Sequence, residues 1–205
     1  MKKILIFIIL IISFVSDSKS QEFCGRTGLN LSKHISDASE SSFIKPGFNL
    51  GFVVDINIVQ ELYFRPGLMF TIKGAKYKDV NKQINHQHYG EIPLLMAYQI
   101  KITKDIKLDF QTGPFVAYGI CGHIIYKGGP NEGFSQLSFQ RKENGVKNQE
   151  FRRFDFGLNY GAGLVYKAFY LGVSYDRSFI KLKDYMVWEQ KNGVLMINIG
   201  YYLRK

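Results

Sequence analysis

The segment RFDFGLNYGAGLVYK, residues 153–167, decides the fold because its side chains separate into two faces with a period of two. The first face carries Phe154, Phe156, Leu158, Tyr160, Ala162, Leu164 and Tyr166. The second face is mostly small or polar and carries Arg153, Asp155, Gly157, Asn159, Gly161, Gly163, Val165 and Lys167. A period of two is the pattern of a β-strand. This segment therefore predicts a strand with one side in an apolar medium.

The same alternation recurs in seven further segments, so the sequence predicts eight strands. These segments begin near Thr27, Phe48, Leu62, Ile92, Leu108, Phe169 and Leu195. A soluble sandwich also alternates, but segments of about ten residues match the roughly 9–11 that cross a bilayer at a tilt. A lipocalin is the soluble competitor, and it would need an apolar interior with a polar exterior. The apolar faces, rich in aromatic residues at their ends, favour a lipid-facing surface.

The connections between these segments alternate in length. Those after strands two, four and six are short, at residues 59–61, 103–105 and 168, whereas those after strands one, three, five and seven are long, at residues 33–45, 76–88, 126–150 and 183–192. Short periplasmic turns and long outer loops are typical of outer-membrane barrels. The fold class predicted is all-β, an eight-stranded antiparallel up-and-down transmembrane β-barrel.

The first twenty residues have the pattern of a signal peptide. Lys2 and Lys3 precede an apolar run over residues 4–15, and a polar stretch with small residues leads to a cleavage site before Gln21. A lipoprotein is not indicated, because the residues before Cys24 are not the small ones that lipidation requires. We expect a signal peptide at residues 1–20, an outer-membrane β-barrel domain at residues 21–205, and residence in a bacterial outer membrane.

The composition agrees with an exported barrel. Aromatic residues make up 15% of the chain, glycine occurs 20 times, and the formal net charge is +10. A basic chain can bind nucleic acid, but an exported protein seldom meets any, so we expect no nucleic-acid partner. Basic loops that face anionic lipid or glycan headgroups are the simpler interpretation.

Nine charged residues fall on the inward faces of the predicted strands. They are Arg26, Asp55, Arg65, Lys73, Glu91, Asp109, Arg153, Asp155 and Asp176. The interior of an eight-stranded barrel is about wide enough to be filled by its own side chains. Buried charges of both signs must then pair. We predict a structural charge network inside the barrel, and a narrow ion path or a carboxylate site is the alternative.

Catalytic and metal sites are weakly indicated. The four histidines, His34, His86, His88 and His123, fall in or beside the predicted outer loops. His86 and His88 could supply two metal ligands, but no third ligand stands at a suitable spacing. We therefore predict no metal site, no cofactor and no catalytic residue. A rim enzyme using Ser135, Ser138 and His123 on lipid or glycan is the alternative.

Three prolines and two cysteines test the strand assignment. Pro66, Pro93 and Pro114 fall inside predicted strands, where we expect bulges or water on the luminal side. Cys24 and Cys121 both fall on the inward register, but about 35 Å apart along the barrel axis at ~3.3 Å per residue and a tilt near 40°. We predict that they do not form a disulfide bond, because the Cα atoms must approach within about 7 Å.

Several motifs resemble a known family. Glu91-Ile92-Pro93-Leu94-Leu95 and Gly113-Pro114-Phe115-Val116 are the most specific, and the run from Lys45 to Gly51 agrees with them. They resemble the outer-membrane β-barrel domain family that includes PorT-like proteins. The resemblance implies an eight-stranded outer-membrane barrel, and PorT-like members are associated with protein export across that membrane. Such barrels usually end on an aromatic residue, whereas here Tyr202 lies a few residues before the end.

The function predicted is that of a non-enzymatic integral barrel whose outer loops or periplasmic turns bind a partner, with protein export as one candidate role. The rim enzyme and a narrow pore remain the alternatives. The partners expected are outer-membrane lipid, the barrel assembly machinery during biogenesis, and a protein partner.

Overall fold

In the computed structural model, eight long antiparallel strands carry the chain back and forth. The structure describes residues 21–36, 42–77, 82–127, 132–139, 141–143, 146–148, 151–182 and 189–203. The strands are β1 (Gln21–Ser36), β2 (Lys45–Val59), β3 (Leu62–Lys73), β4 (Gln83–Lys101), β5 (Ile106–Tyr126), β6 (Phe154–Tyr166), β7 (Phe169–Ser178) and β8 (Gln190–Leu203). Five short strands accompany them: Ser42–Phe43, Lys76–Tyr77, Ser135–Leu137, Arg141–Glu143 and Val146–Asn148. The predicted signal peptide lies outside the described residues.

The eight strands close into a ring. Each pairs with its neighbours along the chain, and β8 returns to β1 through a ladder that runs from Phe23↔Leu203 to Ser36↔Gln190. Closure satisfies the backbone hydrogen bonds of both outer strands, which an apolar medium requires. The predicted eight-stranded antiparallel barrel is confirmed. Within the described ranges, no helix is long and apolar enough to cross a membrane.

The polarity of the wall is that of a membrane barrel. On β6, Phe156 and Tyr160 are exposed on the outside, while Asp155 and Asn159 are buried inside. Outward aromatic residues form an upper row of Phe48, Phe70, Tyr118 and Phe154, and a lower row of Tyr98, Phe110, Tyr166, Phe169 and Tyr201. An exposed apolar surface of this extent is unusual for a water-soluble monomer. It is typical of a lipid-facing belt between two girdles of aromatic residues.

The two ends of the barrel differ. The short turns at residues 60–61, 102–105 and 167–168 lie at one end, and Gln21, which pairs with Ile56, and Leu203 lie there too. By the usual arrangement of short turns this end is periplasmic. The opposite, outer end carries the long connections, and the first two are shorter than expected because β1 continues to Ser36 and β4 begins at Gln83.

The three strand prolines lie at adjacent ladder positions on β3, β4 and β5. Beside Pro66, Pro93 and Pro114 two successive ladder pairs are missing, but the register on either side is the same. The expectation of bulges at the prolines is therefore wrong. A proline lacks the N–H group, so the ladder hydrogen bonds beside it are lost. No extra residue is inserted, and the register is therefore kept. The described register shifts fall elsewhere, near Asn57 and at His88.

The register shift at His88 changes the direction of the side chains that follow on β5. Opposite it, Ile120 is an extra residue, so that Gly119 points inward before the bulge and Gly122 points inward after it. Cys121 is consequently exposed on the outer surface. The prediction that Cys121 faces inward is wrong, because a bulge inverts the alternation of every residue beyond it.

Apolar side chains form a cluster at each end of the interior. The periplasmic cluster consists of Cys24, Val53, Val165, Tyr170 and Tyr202. The outer cluster consists of Tyr89, Phe115, Ala117, Ile124, Phe139, Phe151 and Leu182. Gly119 makes room for this outer cluster, since a Cβ atom there would lie 2.4 Å from the Phe139 ring. Each apolar cluster lies beside buried polar residues, such as Asp55 at the periplasmic end and Lys45 at the outer end.

Candidate functional site

The lower charge cluster consists of Arg26, Asp55, Arg65 and Asp109, near the periplasmic end of the interior. Arg65 lies at its centre and is fully buried. Its Nη1 and Nη2 donate to both carboxylate oxygens of Asp109 at 2.8 and 2.6 Å, and its Nη2 also donates to Asp55 at 2.8 Å. The rigid fork of a guanidinium suits two carboxylates at once. The cluster is balanced, with two cations and two anions.

Neighbouring polar groups complete the lower charge cluster. Arg26 donates to the side-chain oxygen of Gln111 at 2.9 Å, and its guanidinium lies 4.0 Å from the centre of the Tyr170 ring. The Tyr202 hydroxyl donates to Asp55 at 3.0 Å, and Gln99 donates to the same carboxylate at 3.0 Å. These bonds satisfy groups that would be costly to bury alone.

The upper charge cluster consists of Lys73, Glu91, Asp155 and Asp176, nearer the outer end. Lys73 Nζ lies 2.7 Å from a carboxylate oxygen of Glu91 and 3.8 Å from oxygens of Asp155 and Asp176. It also lies 4.4 Å from the centre of the Phe115 ring. Unlike the lower charge cluster, this one places three carboxyl groups around a single ammonium.

Little open space separates the two clusters. The cavity between them has a volume of about 30 Å³ and is bordered by Arg26 below and Glu91 above. This is room for about one water molecule. The part of the interior between the two clusters is thus filled by side chains, which is the arrangement expected of an eight-stranded barrel.

Eight of the nine residues assigned to the luminal charge network lie in these two clusters, and Arg153 does not. Arg153 lies just before β6, is partly exposed, and donates to the backbone oxygens of Gly119 and Ile120 at 2.9 and 3.1 Å. Its guanidinium lies 5.4 Å from the centre of the Phe139 ring. The alternation of β6 does not extend to Arg153, because the regular strand begins only at Phe154.

The outer rim is the set of accessible cations that the structure describes at the outer end of the barrel. They are Lys33, Lys76, Lys82, Lys127, Arg152, Arg153, Arg177, Lys181 and Lys191. In the same region the accessible carboxylates of the described residues are Glu132 and Glu189. Hydrogen bonds from Lys181 and Lys191, at 2.6 and 2.7 Å, lower the pKa of Glu189 to about 2. The outer rim is therefore strongly basic.

All four histidines lie within long strands rather than in loops, and His34, on β1, is buried inside the barrel. His86 and His88 lie on β4, and His123 lies on β5. His86 faces His123 across the ladder, and His88 faces Cys121. Sequence spacing did not bring these four residues together, since the bulge at Ile120 is what turns Cys121 and His123 outward. The sequence carried one sign of this bulge. The inward-facing glycine before it, Gly119, has an odd number, whereas the one after it, Gly122, has an even number.

The residues suggested for a rim enzyme do not form a catalytic pair in the described region. The hydroxyl of Ser138 is buried and donates to the backbone oxygen of His86 at 3.0 Å. Ser135 lies on an edge strand opposite Ile125. A nucleophile needs a base within hydrogen-bonding reach, and Ser138 is instead engaged by the backbone.

The enclosed polar interior, the apolar belt and the closed eight-strand ring agree with one family. The family described as outer membrane protein beta-barrel domain matches residues 16–184. The chain belongs to this family. The match covers β1 to β7, and residence in the bacterial outer membrane is thereby shown. No curated protein matches the chain.

Solved structures similar to this outer-membrane barrel are also barrels of bacterial outer membranes. Neisserial surface protein A is 13% identical, with 87% of this chain and 96% of that chain covered and a TM-score of 0.50. Ail, the attachment invasion locus protein of Yersinia pestis, is 18% identical, with 90% and 99% covered and a TM-score of 0.49. The outer membrane enzyme PagL is 14% identical, with 90% and 99% covered and a TM-score of 0.49. At these identities the likeness concerns the fold alone.

Proposed function

We propose that this outer-membrane barrel is non-enzymatic and binds an acidic partner at its outer rim. The observation that supports the proposal is the imbalance of charge there: nine accessible cations against two accessible carboxylates among the described residues. One of those carboxylates, Glu189, is already paired with two lysines. A surface of one sign attracts partners of the other and speeds their association.

The periplasmic end has no comparable imbalance. Its accessible cations in the described residues are Lys101, Lys104, Lys107 and Lys167, and its accessible carboxylates are Glu22, Glu61 and Asp105. Mixed charge gives weak long-range attraction. The outer rim is therefore the better candidate for partner binding, and binding through the periplasmic turns, as in a protein-export role, is the competing hypothesis.

The interior supports binding over transport. Both charge clusters are buried, and the cavity between them has a volume of about 30 Å³. A narrow pore would need open space along the axis, and side chains fill the space between these clusters. Transport would therefore require a rearrangement of the packed interior, whereas binding at the outer rim requires none.

The test compares two charge variants in a pull-down from detergent-solubilised membranes. The rim variant replaces four rim cations with glutamine: Lys33, Lys82, Lys127 and Arg152. The matched control replaces the four periplasmic cations Lys101, Lys104, Lys107 and Lys167 with glutamine. The proposed contacts between the outer rim and its acidic partner involve exposed charges. We therefore expect the unaltered protein to capture less partner as salt is added, because the screening length falls from about 10 Å at 0.1 M to about 3 Å at 1 M.

We expect the rim variant to lose the captured partner and the matched control to retain it. The reverse result would transfer binding to the periplasmic turns and favour the export role. Equal capture by both variants would contradict electrostatic binding at either end. Lipid or glycan turnover that persists through purification would contradict the non-enzymatic assignment.

A further inference from the structure

The bulge on β5 gathers three histidines and a cysteine on the outer surface of the barrel. His86 and His88 lie two residues apart on β4, so their side chains project from the same face. Cys121 and His123 are arranged in the same way on β5. Ladder pairing places His86 opposite His123 and His88 opposite Cys121. The four residues therefore occupy the corners of a square on one surface.

We propose that His86, His88, Cys121 and His123 bind a single zinc ion at this surface. The site goes beyond the proposed function, because it uses no residue of the outer rim. It lies directly above the upper aromatic row, where the ring centres of His88 and Phe70 are 5.8 Å apart. The ion would thus sit at the outer boundary of the apolar belt, within reach of water.

The spacing of the rings suits a shared ion. The ring centres of His86 and His123 are 5.6 Å apart, and those of His88 and His123 are 6.4 Å apart. Zinc binds imidazole nitrogen at about 2.0–2.1 Å in tetrahedral geometry, which places the centres of two ligating rings roughly 5–6 Å apart. Residues paired across a ladder have Cβ atoms about 4.5–5.5 Å apart, which brings Cys121 within range as well.

The backbone holds the four positions, and the side chains must turn to meet the ion. In the described residues no three donor groups already converge on one point. His86 and His88 are half-buried and Cys121 and His123 are exposed, so rotation about the side-chain bonds is open to them. The bond from Ser138 to the His86 carbonyl fixes the backbone beneath the site. Sites built on strands are held more firmly than sites on loops.

The donor set selects the metal. Three imidazoles and a thiolate suit borderline-soft zinc, whereas calcium and magnesium prefer oxygen ligands. Binding requires loss of the thiol proton of Cys121, which leaves to solvent as the zinc–sulfur bond forms. No electron transfer is involved, so no oxidant or reductant is needed.

The first test measures zinc affinity of the folded barrel in detergent micelles by competition with a chromophoric chelator. We expect one ion per chain. We expect His86→Ala and His123→Ala each to weaken binding by more than about 100-fold, since even partners that only orient a ligand contribute about 10- to 100-fold. The matched control is His34→Gln, which removes the remaining histidine, buried inside the barrel. Heat-modifiable gel migration verifies that each variant is folded.

The second test identifies the thiolate. Cobalt in place of zinc should give a thiolate-to-metal charge-transfer band that Cys121→Ser abolishes, and zinc should protect Cys121 from a maleimide in a Cys24→Ser background. Absence of stoichiometric binding, or equal loss with His34→Gln, would overturn the proposal. Half an ion per chain with a zinc-dependent dimer would also overturn it, because the site would then lie between two molecules.

Discussion

Arg65 and Asp109 meet end to end inside the barrel, with Nη1–Oδ2 and Nη2–Oδ1 distances of 2.8 and 2.6 Å and no exposure of either side chain. Asp55 occupies the adjoining edge of the same guanidinium. One side chain thus compensates two buried carboxylates on two other strands.

Replacing Arg65 with methionine should destabilise the barrel strongly. Two buried carboxylates would lose their counter-charge, and removal of one partner from a buried pair costs about 3–5 kcal/mol. The free energy of unfolding in urea, followed by the loss of heat-modifiable migration, measures the effect. The control is Lys127→Gln at the outer rim, where we expect a change within about 0.5 kcal/mol.

Removing the Arg65–Asp109 ion pair as a whole should cost less than removing Arg65 alone. In Arg65→Met combined with Asp109→Asn, the lower charge cluster keeps one cation, Arg26, and one anion, Asp55, so part of the lost stability should return. A double variant that is less stable than Arg65→Met alone would show that hydrogen bonds, rather than charge balance, dominate this cluster.

The upper charge cluster should respond in the opposite way to loss of one anion. Asp176→Asn should leave the free energy of unfolding unchanged or raise it, because three carboxyl groups surround Lys73 alone. The amide can still accept the 2.6 Å bond from Asn159. Lys73→Met, measured in the same urea titration, should destabilise the barrel. A large loss of stability in Asp176→Asn would contradict this account.

A charge at the centre of the lipid belt should impair the barrel. Val173 is exposed near the middle of β7, and Val173→Arg should cost about 2–4 kcal/mol at the bilayer midplane. Ile102→Arg places the same charge at an equally exposed apolar residue of a periplasmic turn, where about 0–1 kcal/mol is expected. Refolding yield into lipid vesicles measures both. Equal effects would show that Val173 does not lie at the midplane.

The purified barrel should conduct little in planar-bilayer recordings. Between the two charge clusters the described side chains leave a cavity of only about 30 Å³, which is too small for a continuous column of water. Stable open currents over a wide range of voltage would instead support the narrow pore. A variant in which Arg65, Asp55 and Asp109 are all replaced by serine removes most of the side-chain volume of the lower charge cluster. It tests whether this is sufficient to raise conductance.

Cys24 and Cys121 should not form an intramolecular disulfide. Both are free in the structure, with Cys24 buried inside near the periplasmic end and Cys121 exposed outside on the outer half. Non-reducing mass spectrometry should show no Cys24–Cys121 bond. On intact cells treated with a zinc chelator, a membrane-impermeant maleimide should label Cys121 and leave Cys24 unlabelled. Labelling of Cys24 first would indicate the reverse orientation in the membrane.

The inward charges of β2 to β7 could be predicted because the period of two is uninterrupted in the part of each strand that carries them. Asp55, Arg65 and Asp176 therefore follow from alternation alone, as does the apolar belt. The pairing of Arg65 with Asp109 does not follow, since it depends on which residues of different strands lie at the same height. That height is set by the stagger of the ring, which alternation does not contain.

The histidine and cysteine square could not be predicted from alternation, because one extra residue at Ile120 reverses the faces beyond it. Lys45 was missed for a related reason. It was placed in a loop, yet it begins β2 and is buried. Local sequence preference is weakest at strand ends and bulges, where pairing with a distant strand decides the conformation.

The ladder between β1 and β8 joins the first and last described strands. The seam that closes the cylinder is therefore formed by the residues that lie farthest apart in the sequence. Loop-closure entropy opposes such contacts, and folding that relies on them is slow. Until the seam forms, β1 and β8 each present a bare row of backbone donors and acceptors, open to pairing with a neighbouring molecule. A chain truncated before Gln190 would not give a smaller cylinder. It would be an open sheet, and we would expect the cell to degrade or aggregate it.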